Sequence, residues 1–308
     1  MFAAIGLLGV FICVFGSFMI FGGKIGIILE ALPGEFMTIG GAAICGFMVS
    51  NSTHTIKQAL GAVKRIFPGA KFHKKEYMEL LSLLYQILKT MKTKGVLAIE
   101  QHIEKPLESN IFNAYPSIMK DPFTVKFIAD YLRMFSIGVD NPHELEALME
   151  QEIDKAKHED LHSSHAFQTM ADAMPALGIV AAVLGVIKTM ASITEPPEVL
   201  GKLIGGALVG TFMGIFLSYC IIAPIASRLK GVAEEENQFY HVIRAAITAH
   251  LAGYAPQVSI EAARKRCRRN TCPTSTSWKR RCRRLVSVPK RRARPSRRFA
   301  RPEPHPKV

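Results

Sequence analysis

The sequence predicts an all-α membrane protein with four transmembrane helices and a helical cytoplasmic domain between the second and third. Long apolar runs occur near the N-terminus and again at 171–227, and the basic residues are spread unevenly around them. At ~1.5 Å rise per residue, about 20 apolar residues cross a ~30 Å hydrocarbon core.

The most informative region is 171–227. One run reads Ala-Met-Pro175-Ala-Leu-Gly178-Ile-Val-Ala-Ala-Val-Leu-Gly185-Val-Ile. The other reads Gly205-Gly206-Ala-Leu-Val-Gly210-Thr211-Phe-Met-Gly214-Ile-Phe-Leu-Ser218-Tyr219-Cys-Ile-Ile-Ala-Pro224. As a hairpin, they place Pro175 and Pro224 on the same side of the membrane. Each proline removes a helical hydrogen bond and marks a hinge. Two further spans are expected at 2–21 and Gly34–Val49. No basic segment precedes Phe2 and no small-x-small cleavage site follows, so the first span reads as a retained helix. Gly206, Gly210 and Gly214 form two overlapping small-xxx-small steps. Such steps let helix backbones approach closely, within one chain or between copies, and the spacing does not choose between these.

Orientation follows from charge. Lys57, Lys64, Arg65, Lys71, Lys74 and Lys75 follow the second span, whereas the links at 22–33 and 193–202 hold only Lys24 and Lys202 as basic residues. The positive-inside rule then makes 51–172 and both termini cytoplasmic, in a multi-pass membrane protein. Lys188 falls near the outer end of its span, where it can snorkel to the headgroups. The expected organisation is therefore 1–50 (spans one and two), 51–172 (cytoplasmic), 173–227 (spans three and four), 228–264 (a C-terminal helix) and 265–308 (a basic tail).

Within 51–172, Lys75–Lys92 carries apolar residues at helical spacing and stops near Gly95. Asn141-Pro142-His143-Glu144 reads as a helix start, with a helix running past Glu152 towards Asp172. Pro106, Pro116 and Pro122 break the middle into short pieces. There is no phosphate loop, nucleophile elbow or assembled nucleophile–base pair, so the chain is not expected to be an enzyme or to need a cofactor. His158, His162 and His165 share a helix face, a spacing that can hold zinc. A solvated polar face is the stronger reading, and no metal is expected. The six cysteines form no disulfide pattern. The middles of the expected spans hold no Asp, Glu, His or Arg, so a carboxylate for any ion path is expected from another polypeptide.

Several blocks resemble the MotA family of flagellar motor stator subunits, over roughly residues 1–264. They include Tyr77-Met-Glu-Leu-Leu-Ser-Leu-Leu-Tyr85, Glu104-Lys-Pro106-Leu-Glu-Ser-Asn-Ile-Phe112, Phe127-Ile-Ala-Asp-Tyr-Leu-Arg133 and Gly253-Tyr-Ala-Pro256. Both apolar runs with their prolines resemble the family as well. The resemblance implies five copies around a dimer of MotB, whose membrane helix supplies the ion-binding aspartate, and torque on the rotor protein FliG. It implies contact with membrane lipid and none with nucleic acid. It also implies that Lys92 and Glu100 face the rotor, that Pro175 and Pro224 are hinges, and that Ala182 and Thr211 line the ion path. Alanine at 182, where sodium-driven relatives carry threonine, implies proton coupling. Two alternatives are an ExbB/TolQ-like energising subunit, which has three spans and an outside N-terminus, and a membrane-tethered nucleic-acid or lipid binder.

The tail departs from the family. Arg264–Val308 holds 18 Lys/Arg against Glu303, an excess of +17; the whole chain is +14, which leaves the body about −3. Asn270-Thr-Cys-Pro-Thr-Ser-Thr-Ser-Trp-Lys-Arg-Arg-Cys-Arg283 is encodable by DNA that, read two bases later, gives His-Val-Pro-Asp-Phe-Asn-Glu-Leu-Glu-Glu-Ala-Leu-Gln. That resembles the acidic helix of family members. The hypothesis is a frame shift near Lys265, and resequencing the gene tests it: the same basic tail in intact genes of close relatives overturns it.

Overall fold

A computed structural model describes residues 2–66, 68–139, 141–268, 271–274, 277, 278, 280 and 281. Residues 1–272 form one compact unit and 273–308 another. Of the second, the Trp278 N–H donates to the Thr274 carbonyl (3.0 Å). Most of the basic tail, and with it the frame-shift reading, lies outside the described residues. Everything that follows concerns the first unit.

The described residues are helical, with no strand among them. Helix α1 (Phe2–Ile20) is a short apolar helix. Helix α2 (Ile25–Glu35) continues through a π turn (Phe36–Gly41) into α3 (Ala42–Ser50), giving one helix of 26 residues, long and apolar enough to cross a membrane. This corrects the expected start at Gly34. Pro33 falls at the end of the expected link 22–33, yet in hydrocarbon an interrupted helix leaves backbone groups with no water to bond. The helix therefore continues through Pro33, and the backbone widens to π turns just beyond it. One consequence is that Glu35 lies inside the span.

A polar head follows. It contains α4 (Thr53–Arg65), α5 (Lys74–Lys94), α6 (Leu97–Glu104), α7 (Pro116–Met119) and α8 (Pro122–Ile137). Local chemistry sets these ends. Ser52 Oγ accepts the Thr55 N–H (3.2 Å) at the start of α4, and Asp121 accepts the Thr124 N–H (3.3 Å) at the start of α8. Helix α5 stops at Gly95, whose φ of +84° a Cβ would oppose.

Helix α9 (Pro142–Ala191) is a single rod of 50 residues, begun by the Asn141 side chain accepting the His143 N–H (3.1 Å). Helix α10 (Pro197–Phe216), a π turn (Leu217–Ile222) and α11 (Ala223–Leu251) form a second rod of 55 residues. Each rod contains a stretch able to cross a membrane. Helix α1 packs on this rod through aromatic rings: Phe11 and Phe15 stand 5.3 and 5.5 Å from Phe216. The expected C-terminal helix 228–264 is in fact two. Gly253 takes φ +87°, and α12 (Pro256–Arg266) folds back on α11 from a proline that cannot prolong the preceding helix. The head's core joins Leu80, Leu84 and Leu88 of α5, Phe127 and Ile128 of α8, and Leu145 and Met149 of α9. Phe239 and Ile243 of α11 and Ile260 of α12 complete it, and all ten are buried.

Candidate functional site

The two rods lie antiparallel, and small residues set their separation. A Cβ placed on Gly185 would stand 2.7 Å from the Ala207 Cβ, and one on Gly214 would stand 2.7 Å from the Gly178 Cα. Gly210 meets Ala181, and Gly206 faces Ala31 of α2. Of the two uses the glycine spacing left open, these positions serve packing within the chain.

Beyond the Gly178–Gly214 contact, the Ser218 hydroxyl donates to the Ala171 carbonyl (2.7 Å). That carbonyl is four residues before Pro175, which has no N–H to offer it. The hydroxyl on the second rod thus satisfies the backbone group that the proline leaves free on the first. Pro224 follows the π turn, where the Ala223 N–H reaches back five residues to the Ser218 carbonyl. Further along, Ser164 Oγ donates to the Ala226 carbonyl (2.8 Å). Both prolines therefore lie at the same end of the hairpin, each beside a serine that ties one rod to the other. Sequence reasoning left Ser218 among the span hydroxyls; pairing it with the carbonyl freed by Pro175 required the hairpin register.

Ala182 and Thr211 follow Ala181 and Gly210, which touch, so they lie at the same depth of the hairpin; both are half-buried. Glu35 arrives at this level from α2, in the space over Gly210. The expected span Gly34–Val49 has Glu35 at its outer end; the structure starts the helix at Ile25, so Glu35 lies ten residues inside it. The missed signal was that a proline in a 26-residue apolar stretch does not end a membrane helix.

Lys92 and Glu100 lie elsewhere, on α5 and α6 either side of Gly95. Both are exposed, and neither joins an ion pair among the described residues. Behind Lys92, burial holds His250 below the usual histidine range, and the lysine charge pushes it the same way. The structure thus joins Pro175, Ala182, Thr211 and Pro224 in one hairpin and keeps Lys92 and Glu100 apart from it on the head. His158, His162 and His165 are exposed, and no metal-binding group occurs among the described residues.

Where the membrane stretches end, buried Glu236 of α11 pairs with Arg65 of α4. It also accepts the Lys71 N–H (3.1 Å) and lies 3.8 Å from Lys71 Nζ. Burial disfavours the Arg65 charge, and the hydrogen bond and charge of Glu236 more than offset it. Membrane-capable helices that continue unbroken into a charged head define a membrane-embedded subunit suited to carrying movement from bilayer to head.

Residues 4–95 match the Motility protein A N-terminal family, and residues 119–241 match the MotA/TolQ/ExbB proton channel family. Motility protein A of Salmonella typhimurium is 38% identical over 265 residues, 86% of this chain and 89% of that protein. Chemotaxis protein LafT of Vibrio parahaemolyticus is 37% identical, over 88% of this chain and 94% of its own length. Among solved structures, C. jejuni MotAB matches with a TM-score of 0.68 at 21% identity, over 87% of this chain and 95% of the other. The flagellar MotAB stator complex of Bacillus subtilis matches with a TM-score of 0.66 at 22% identity, over 84% and 92%. The chain belongs to the Motility protein A family, whose members are channel subunits and not enzymes.

Proposed function

We propose that this chain is the MotA-type subunit of a flagellar stator, forming with MotB a proton-conducting complex that turns ion flow into torque. The observation that carries the reading is 38% identity to Motility protein A across 86% of the chain, spanning both membrane stretches and head. The hairpin supports it, since a shift at Pro175 or Pro224 is carried by unbroken helix into the head. In this reading α1 is the first of four spans, the head is cytoplasmic with both termini, and the membrane is the cell inner membrane. Five copies surround a MotB dimer, whose aspartate binds the ion in a path lined by Ala182 and Thr211. The alanine favours protons, because sodium needs several oxygen ligands.

Exposed Lys92 and Glu100 are available to opposite charges on FliG, where complementary charge sets register and encounter. Swimming of a stator-deleted bacterium given this chain and its matching MotB, full-length or cut after Arg264, tests the function. Swimming by either form supports it. Failure of both, with membrane insertion but no capture of MotB, moves the reading to an ExbB-like subunit.

Two variants test the residue roles in the same cells. Glu100→Lys is expected to insert normally and lower torque at high load several-fold; unchanged stall torque refutes the rotor contact. Pro175→Ala restores a helical N–H in competition with Ser218 for the Ala171 carbonyl. It is expected to keep normal protein levels and to slow or stop rotation, whereas normal swimming speaks against a hinge.

A further inference from the structure

Between α1 and the pair formed by α2 and α10 lies a cavity of about 590 Å³. Its shape follows from how the three helices meet. Deep in the span, Phe15 of α1 closes on α10, its ring 6.1 Å from that of Phe212 and 5.5 Å from that of Phe216. Nearer the link, α2 presses on α10 at Gly205, where an added Cβ would stand 3.2 Å from Ile27 Cγ2. Helix α1 stays off that contact, and the gap between is the cavity. Ile28 and Val209 close its floor as part of a buried apolar cluster, whereas Phe21, Ile27 and Leu208 on its rim are exposed.

The lining has a polar end and an apolar end. Ser17 and Lys24 are its polar side chains, both at the end where the link joins α1 to α2. Lys202 stands one turn before Gly205 on α10, towards the same end. Both lysines are exposed, and neither joins an ion pair among the described residues; Glu30, Glu195 and Glu198, the acids nearest that end in sequence, pair with neither. From Gly205 to Phe212 the helical rise gives a depth of ~10 Å. One leaflet contributes ~15 Å to a ~30 Å core, so the cavity stays within a single leaflet.

We propose that this cavity binds one phospholipid of net negative charge, with an acyl chain between α1 and α10 and the phosphate at Lys24. Below the mouth the lining offers water no polar side chain to bond, whereas a hydrocarbon chain fits it. At the mouth an anionic headgroup meets two free cations, while a zwitterionic one brings a cation of its own against them. A charged mouth over an apolar interior matches an amphiphile; the apolar face of a second copy would leave both lysines unmatched. The bound chain fastens α1 to α2 and α10 at the level where α1 packs on neither. With the head cytoplasmic, as the stator reading has it, the lipid belongs to the outer leaflet; the binding itself does not depend on that reading.

The test uses the full chain, alone and with its matching MotB, in phosphatidylcholine nanodiscs doped with a phosphatidylglycerol whose acyl chain carries a diazirine. After illumination, labelled peptides are mapped by mass spectrometry. Label is expected to concentrate on residues 14–28 and 205–212 and to be displaced by unlabelled phosphatidylglycerol. Lys24→Gln is expected to lower label there about five-fold, the scale of one lysine at an anionic headgroup, and K24E to lower it further. Leu208→Trp, which fills the cavity from its rim, is expected to remove that label and leave label on other apolar helices. If L208W does not accumulate, K24E decides, because Lys24 is exposed and its replacement leaves the packing unchanged.

Label spread evenly over the exposed apolar residues, or unchanged in K24E, overturns the proposal. Equal labelling by a phosphatidylcholine probe overturns it as well. No label at the cavity, together with crosslinking of L208C to α1 of another copy, assigns the gap to a second copy and refutes the lipid. None of these readouts needs a turning motor, so a failure of the stator reading and a failure of this one are told apart.

Discussion

Phe239→Ala is expected to destabilise the head by about 3–5 kcal/mol, the usual cost of truncating a fully buried phenylalanine. The side chain has no solvent exposure. Its ring stacks on Phe72 at 3.8 Å with 7° between planes, and meets Tyr77 edge-on at 5.0 Å. Phe72 belongs to the link between α4 and α5, so this ring holds the link onto α11. Its loss leaves a cavity that three separate segments would have to close together. The check is thermal unfolding of purified protein in detergent, followed by size exclusion. A drop of at least about 6 °C is expected, at about 2–4 °C per kcal/mol for a chain of this size. A midpoint within about 2 °C of wild type would contradict the assignment. Leu97, at 82% exposure, provides the control, since its replacement by alanine should change little.

Glu236→Ala is expected to cost about 2–3 kcal/mol and to loosen the junction between membrane and head. The carboxylate is buried, and its removal strips Arg65 of its partner and the Lys71 N–H of its acceptor. Breaking a buried pair costs more than this, but the Arg65 side chain is 38% exposed and regains water. Replacing both partners avoids the stranded charge, so Arg65→Met combined with Glu236→Ala should recover part of the stability. A double variant as unstable as the sum of the two single ones would refute the coupling. Because Lys71 and Phe72 are adjacent, the two predictions address neighbouring anchors of one link.

Much of this architecture is local and was therefore legible. Asn141 and Pro142 mark a helix start whatever surrounds them, because the cap bonds to the N–H of His143. Gly95 ends α5 for an equally local reason, its left-handed backbone. The hairpin followed from two long apolar runs. Less legible is the break at Gly253-Tyr-Ala-Pro256, which falls inside the single helix expected over 228–264. The helix start at Ile25, eight residues before Pro33, is not legible either, because the membrane favours an unbroken helix across a proline. That start places Glu35 inside the span.

What the sequence by itself determined is the all-helical class, the membrane-capable stretches, the helix ends and the family, because periodicity, caps and residue order are properties of nearby positions. The tertiary structure alone decided which groups meet. Gly214 lies on Gly178, the Ser218 hydroxyl on the carbonyl that Pro175 leaves unbonded, the Glu35 carboxyl over Gly210, and Glu236 between Arg65 and Lys71. Each pairing depends on the axial register of two long helices. That register is set by the sum of many weak side-chain contacts along their length, so no short stretch of sequence encodes it.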